Sequence, residues 1–153
     1  MINFKTSDRV PKVMLIDDNP GEVIILKAAL KKINIKNIEL KAYQNPIEAL
    51  EKLKSLVETP DGKKELPDLI FLDLNMPEMN GSEALVILKN IEALRVIPII
   101  IITTSAIEEE LEKCYKLHAN SVLQKPMDFE DYVNTLEVVT SYWFHHATRI
   151  EVK

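Results

Sequence analysis

The sequence predicts an α/β domain whose parallel sheet is covered by helices on both faces. Five short apolar runs alternate with five longer stretches that carry apolar residues at helical spacing, which is the pattern that builds βαβ units. Several runs, Val13–Ile16 and Leu69–Leu72 among them, are apolar throughout rather than alternating with polar residues. Strands buried on both faces read this way.

Each element has its own signal. Val13-Met14-Leu15-Ile16 is the first strand, stopped abruptly by Asp17-Asp18. Asn19 then offers a helix N-cap and Pro20 occupies the first helical position, where its missing N–H costs nothing. Val23, Leu26, Ala29, Leu30 and Ile33 mark the apolar stripe of a helix to about Asn34. A second strand covers Ile38–Tyr43, and Asn45-Pro46 repeats the cap-plus-proline start for a helix striped by Ile47, Leu50, Leu53 and Val57. Glu58–Leu66, with Pro60 and Asp61-Gly62, reads as a surface loop or turn. Leu69–Leu72 is the third strand, ending at Asp73, and Asn80-Gly81 closes the loop before a helix over Ser82–Leu94. Ile97–Ile102 is the fourth strand, followed by Thr103-Thr104-Ser105 and a helix over Glu108–Leu117. Ser121–Leu123 is a short fifth strand ending at Lys125-Pro126. Phe129, Tyr132, Val133, Leu136, Val139 and Trp143 stripe the last helix.

At 153 residues the chain is one ordinary domain. Residues 1–10 are expected to be an N-terminal extension, 11–146 the folded domain and 147–153 a C-terminal tail. Acids outnumber bases, 24 to 19, for a net charge of −5, which argues against nonspecific nucleic-acid binding. Cys114 is the only cysteine, so neither an internal disulfide nor a cysteine zinc site can form. Its expected role is that of a small, partly buried residue. Met1–Arg9 is polar and mixed in charge, unlike a signal peptide. The apolar run Val96–Ile102 is too short to span a bilayer, so a cytoplasmic location is expected.

Ligands of such sheets bind beyond the carboxyl ends of the strands. Asp17-Asp18, Asp73, Thr103 and Lys125 each stand just past a different strand and are expected to converge at one sheet edge. Clustered carboxylates repel, and a fold that keeps them commonly holds a hard divalent cation. Asp73 can act as a nucleophile toward phosphorus. Lys125 could pair with one phosphoryl oxygen and Thr103 hydrogen-bond another, with the metal on a third. Taken singly, an Asp or a Thr after a strand usually caps a helix and a Lys-Pro is usually a loop. Their joint occurrence at four strand ends points instead to a phosphoacceptor site.

Ile16-Asp17-Asp18-Asn19-Pro20, Leu72-Asp73-Leu74-Asn75-Met76-Pro77 with Gly81, Thr103-Thr104-Ser105 and Lys125-Pro126 resemble the receiver domain of two-component response regulators, over about residues 11–146. The finer texture, Asp18-Asn19-Pro20, Leu74–Pro77 and the aromatic Tyr142-Trp143-Phe144, resembles the small stand-alone regulators that partner bacterial phytochromes. The resemblance implies a flavodoxin-like (βα)5 fold with strand order 2-1-3-4-5. It implies Asp73 as phosphoacceptor, with Mg²⁺ held by Asp18, by Asp17 often through water, by Asp73 and by the backbone carbonyl of Asn75. Thr103 matches the switch hydroxyl and Lys125 the phosphate-pairing lysine, whose bond to Pro126 is cis in the family. The implied partner is a sensor histidine kinase, of phytochrome type on the finer texture, or a phosphotransfer protein. Catalysis would be limited to the protein's own phosphorylation and dephosphorylation. No appended output domain is expected, so the expected output is protein–protein contact, with a homodimer through the last helix and its aromatics.

Two departures stand out. Val122 occupies the position, three residues before the lysine, where many receivers carry an aromatic that flips inward. His118 falls at a turn where glycine is common, and its expected role is that of a tolerated turn residue. Other chemistries fit less well. A phosphatase of the haloacid-dehalogenase type needs an acid two residues after its nucleophile, where Asn75 stands. A flavin carrier would set the flavin phosphate against three carboxylates. A degenerate receiver-like scaffold or dimerisation module would have no need of the intact residue set.

Overall fold

The computed structural model describes residues 9–33, 35 and 37–152. Most of the expected N-terminal extension, and the first helix's expected end at Asn34, lie outside the described residues. Five parallel strands, β1 (Lys12–Ile16), β2 (Glu39–Tyr43), β3 (Leu69–Asp73), β4 (Ile99–Thr103) and β5 (Ser121–Gln124), form one sheet in the order β2-β1-β3-β4-β5. Helices α1 (Pro20–Lys32), α2 (Pro46–Leu56), α3 (Pro60–Lys64), α4 (Gly81–Asn90), α5 (Glu92–Arg95), α6 (Glu108–Lys116) and α7 (Phe129–Ser141) connect and cover it, and a π-helical turn over Tyr142–His146 prolongs α7.

Period-two alternation splits the core in two. On one face Met14, Ile16, Ile70, Leu72, Ile99 and Ile101 pack against Leu50 and Leu53 of α2, Leu85 and Leu88 of α4, Leu94 and Cys114. On the other, Val13, Leu15, Leu69, Phe71, Ile100 and Ile102 pack against Val23, Leu26 and Leu30 of α1, Tyr132, Val133 and Leu136 of α7, and Phe144. A single strand therefore buries its consecutive residues in two different cores, which is why the central runs are apolar throughout.

Asn19 and Asn45 cap their helices as expected, each side-chain oxygen accepting a backbone N–H at 2.9 Å, from Gly21 and Ile47 respectively. Four details differ from the sequence reading. Thr59-Pro60 starts the short helix α3 inside the expected loop, with the Thr59 hydroxyl accepting the Gly62 N–H at 3.0 Å. Ile91, in extended conformation (ψ 116°), interrupts the helix expected over residues 82–94 and separates α4 from α5. Cys114 is fully rather than partly buried. The segment from residue 147, expected as a tail, passes beneath the amino-terminal end of the sheet, where Arg149 reaches Asp68 at 3.1 Å and Val152 packs on the first core.

Candidate phosphoacceptor and metal site

Strand register places the site residues side by side. Ile16 pairs with Leu72, Asp73 with Ile102 and Thr103 with Gln124. Asp17-Asp18, Asp73, Thr103 and Lys125 therefore emerge at adjacent strand ends along one edge of the sheet. Asp17, Asp18 and Asp73 each bring a carboxylate oxygen to within 4.8 Å of the others, with Asp17 buried and the other two half-buried.

Such crowding costs free energy unless something positive intervenes. Burial, and then the neighbouring charge of Asp17, push the Asp73 carboxyl up to about 7. The backbone N–H groups of Asn75 and Leu74 work against that rise. Asp17 is raised mainly by burial, opposed by the Asn19 N–H that it accepts at 3.0 Å and by the charge of Lys125. An all-oxygen set of three acids in a partly desolvated edge suits a small hard dication, which removes the repulsion and keeps some of its water. Asn75 is exposed next to this cluster.

Thr103 is buried at the end of β4, and its hydroxyl oxygen accepts the Ser105 N–H at 3.0 Å, leaving its proton free to donate. Ser105 in turn donates its hydroxyl to Glu110 at 2.6 Å. Gly81 opens α4 against the backbone of Asp73 and Leu74. Its N–H donates to the Leu74 carbonyl at 2.8 Å, and a Cβ there would lie 2.3 Å from the Asp73 carbonyl oxygen. Only glycine permits so close an approach.

Lys125 is not brought to Asp73: among the described residues no ion pair joins them. Its ammonium is bonded to the carboxylate of Glu22, in the first turn of α1, and lies 5.9 Å from the centre of the Tyr132 ring. Nor is the Lys125–Pro126 bond cis, since the described residues contain no cis peptide bond. The trans form is the intrinsic preference of an X–Pro bond by about 0.5–1 kcal/mol.

Glu22 is the site residue that sequence reasoning missed. An acid in a first helical turn is ordinarily explained by the helix dipole. The overlooked signal was its position, on the first turn after Asp17-Asp18 and so at the same sheet edge. At Val122, the position without the aromatic, the backbone N–H donates to the Tyr115 hydroxyl at 3.1 Å, so an aromatic reaches β5 from α6.

The chain is similar to known proteins over most of its length. The response regulator receiver domain family matches residues 13–137. The chain is 33% identical over 135 residues to a probable methanogenesis regulatory protein, FilR2, of Methanothrix harundinacea (strain 6Ac), covering 86% of this chain and 82% of that one. It is 30% identical over 139 residues to response regulator Rcp1 of Synechocystis sp. (strain ATCC 27184 / PCC 6803 / Kazusa), covering 90% and 92%. The Mn²⁺-bound crystal structure of Rcp1 superposes with a TM-score of 0.76 at 27% identity over 91% of this chain and 98% of that one. The phosphorylated cyanobacterial phytochrome response regulator RcpA superposes with a TM-score of 0.81, at 27% identity over 92% of this chain and 99% of that one.

Proposed function

The chain belongs to the response regulator receiver family, and from that premise we propose that it accepts a phosphoryl group on Asp73 in a Mg²⁺-dependent reaction. The observation that carries the reading is the convergence of three carboxylates within 4.8 Å around Asp73, at the carboxyl edge of a parallel sheet.

Each residue has a role in this reading. Ionised Asp73 attacks phosphorus, forming an Oδ–P bond as the bond from phosphorus to the donor's leaving group breaks. The leaving group departs with the electron pair of the broken bond and takes any proton it needs from solvent. Asp17, Asp18 and Asp73, with the Asn75 backbone carbonyl, would hold Mg²⁺, which when bound neutralises charge on the acids and on the transferred group. Thr103 donates its hydroxyl proton to a phosphoryl oxygen. Lys125 supplies a cation to another oxygen once it leaves Glu22.

The donor is a sensor histidine kinase or a phosphotransfer protein. Similarity to Rcp1 and RcpA favours a kinase of the phytochrome type. The setting is cytoplasmic, and the output is contact with other proteins rather than with nucleic acid or membrane. Among the described residues no helix is long and apolar enough to cross a membrane.

A homodimer would use the end of α7. Val138 and Tyr142, one helical turn apart, are 70% and 54% exposed, whereas Phe144 is buried in the core and Trp143 packs partly against it. Tyr142→Ala is therefore a cleaner probe than Trp143→Ala. It should lower the mass measured by light scattering, and an unchanged dimer mass would rule this face out.

Intact-protein mass after incubation with acetyl phosphate or phosphoramidate tests the central reading. A phosphoryl adduct is expected that needs Mg²⁺ and is absent in Asp73→Asn. Folded protein that gains no adduct from either donor would overturn it.

A further inference from the structure

We propose that Glu22 is a positioning residue that holds Lys125 away from Asp73 until a phosphoryl group competes for it. The inference rests on the phosphoacceptor reading and deepens it.

Lys125 follows β5, whose Gln124 pairs with Thr103, so its backbone already stands beside the site. Its ammonium nonetheless points to α1, where Glu22 takes it, and both side chains are largely shielded, 13% and 22% exposed. The Tyr132 ring borders the same space, 5.9 Å from the ammonium. The lysine therefore has a defined resting place rather than a solvated one. A lysine is suited to exchanging partners, since its ammonium is a compact charge on a flexible stem with three rotatable donors. The contest is between one carboxylate of Glu22 and a phosphoryl group, which brings close to two negative charges and three acceptor oxygens to Asp73. A partly shielded single ion pair is weak enough to yield to that group, yet strong enough to oppose it. The carboxylate that parks the lysine thus sets how readily the site captures and keeps a phosphoryl group.

Beryllofluoride, which adds to a carboxylate as a phosphoryl group does, reads this equilibrium without turnover. Its affinity is measured by calorimetry at saturating Mg²⁺, with thermal melting to show that each variant is folded. Glu22→Gln should tighten binding about fivefold, the size expected for release of one ion pair. Glu22→Asp, which keeps the charge but shortens its reach, should also tighten it. In a Lys125→Ala background neither substitution should have an effect. Unchanged or weaker binding in Glu22→Gln would overturn the inference. So would an equal tightening without Lys125, because the effect would then be one of net charge alone. Wild-type protein that binds no beryllofluoride would overturn both this inference and the phosphoacceptor reading. Wild-type binding with an inert Glu22 would overturn this inference only.

Discussion

Asp73 is held where its own ionisation opposes folding. In the unfolded chain its carboxyl titrates near the ordinary 3.8, and in the folded one near 7. Between those values the native state keeps a proton that the unfolded chain has released. This group's contribution to stability is therefore greatest below about pH 4 and is lost as pH rises through 7. Asp17 is shifted in the same direction by its burial. Asp73→Asn should consequently stabilise the metal-free protein, and the gain should grow between pH 4 and pH 8. At pH 8 it should reach about 1 kcal/mol, or ~3 °C in melting midpoint, after allowance for partial solvent screening. Thermal melts of the two proteins across that pH range check it. A gain that does not change with pH would mean that Asp73 is ionised throughout. Added Mg²⁺ at pH 8 should raise the wild-type midpoint more than that of the variant, because it removes the repulsion directly.

Among the elements, strands and capped helices were the most legible in the sequence, and their interruptions the least. The Asn19-Pro20 and Asn45-Pro46 starts are legible because cap and proline are local chemistry. Thr59-Pro60 carries the same signal, yet Asp61-Gly62 immediately after it imitates a turn, and the four-residue spacing that marks an apolar stripe is missing. His118 was recognisable as a turn residue. It adopts a left-handed φ of 73°, with its N–H on the Tyr115 carbonyl and that of Ala119 on the Cys114 carbonyl, the double bond of a Schellman ending. The strand ends locate the three acids, but no sequence pattern gives the direction of a flexible side chain, so the Lys125–Glu22 pair is visible only in the structure. Gly81 was legible only as the close of a loop. Its use emerges from the start of α4 pressing on β3. Gly81→Ala would force a methyl to within 2.3 Å of the Asp73 carbonyl oxygen and 2.8 Å of the Leu74 Cα. Backbone on both sides leaves no flexible neighbour to yield. We expect a loss of about 2–3 kcal/mol in urea unfolding, with weaker Mg²⁺ binding as the loop bearing Asn75 is displaced. Wild-type stability in this variant would show that α4 can back away freely.

Across the whole molecule, chemistry gathers at one end of the sheet and chain closure at the other. Asp68, buried just before β3, accepts the Lys12 N–H at 2.8 Å and meets Arg149 at 3.1 Å, so it ties the start of β1 to the segment after α7. The Arg149 contact is an ion pair rather than an aligned hydrogen bond. The guanidinium also lies 5.1 Å from the centre of the Phe144 ring, which is part of the second core. Burial lowers the arginine's proton affinity, and the Asp68 charge opposes that effect, as expected for a cation that depends on its partner. Arg149→Met should leave the Asp68 carboxylate buried with less compensation, and Asp68→Asn should strand a cation that cannot lose its proton. Each single change is therefore expected to cost about 3 kcal/mol. The double change removes both charges at once and should cost well under the sum, by about 2 kcal/mol. Urea unfolding of the four proteins measures that coupling. Additive losses would mean that Arg149 stabilises the fold through its stacking on Phe144 and not through Asp68. Strong coupling would show that the segment beyond residue 147 is an integral part of the folded unit, closing the sheet at the end opposite the acids.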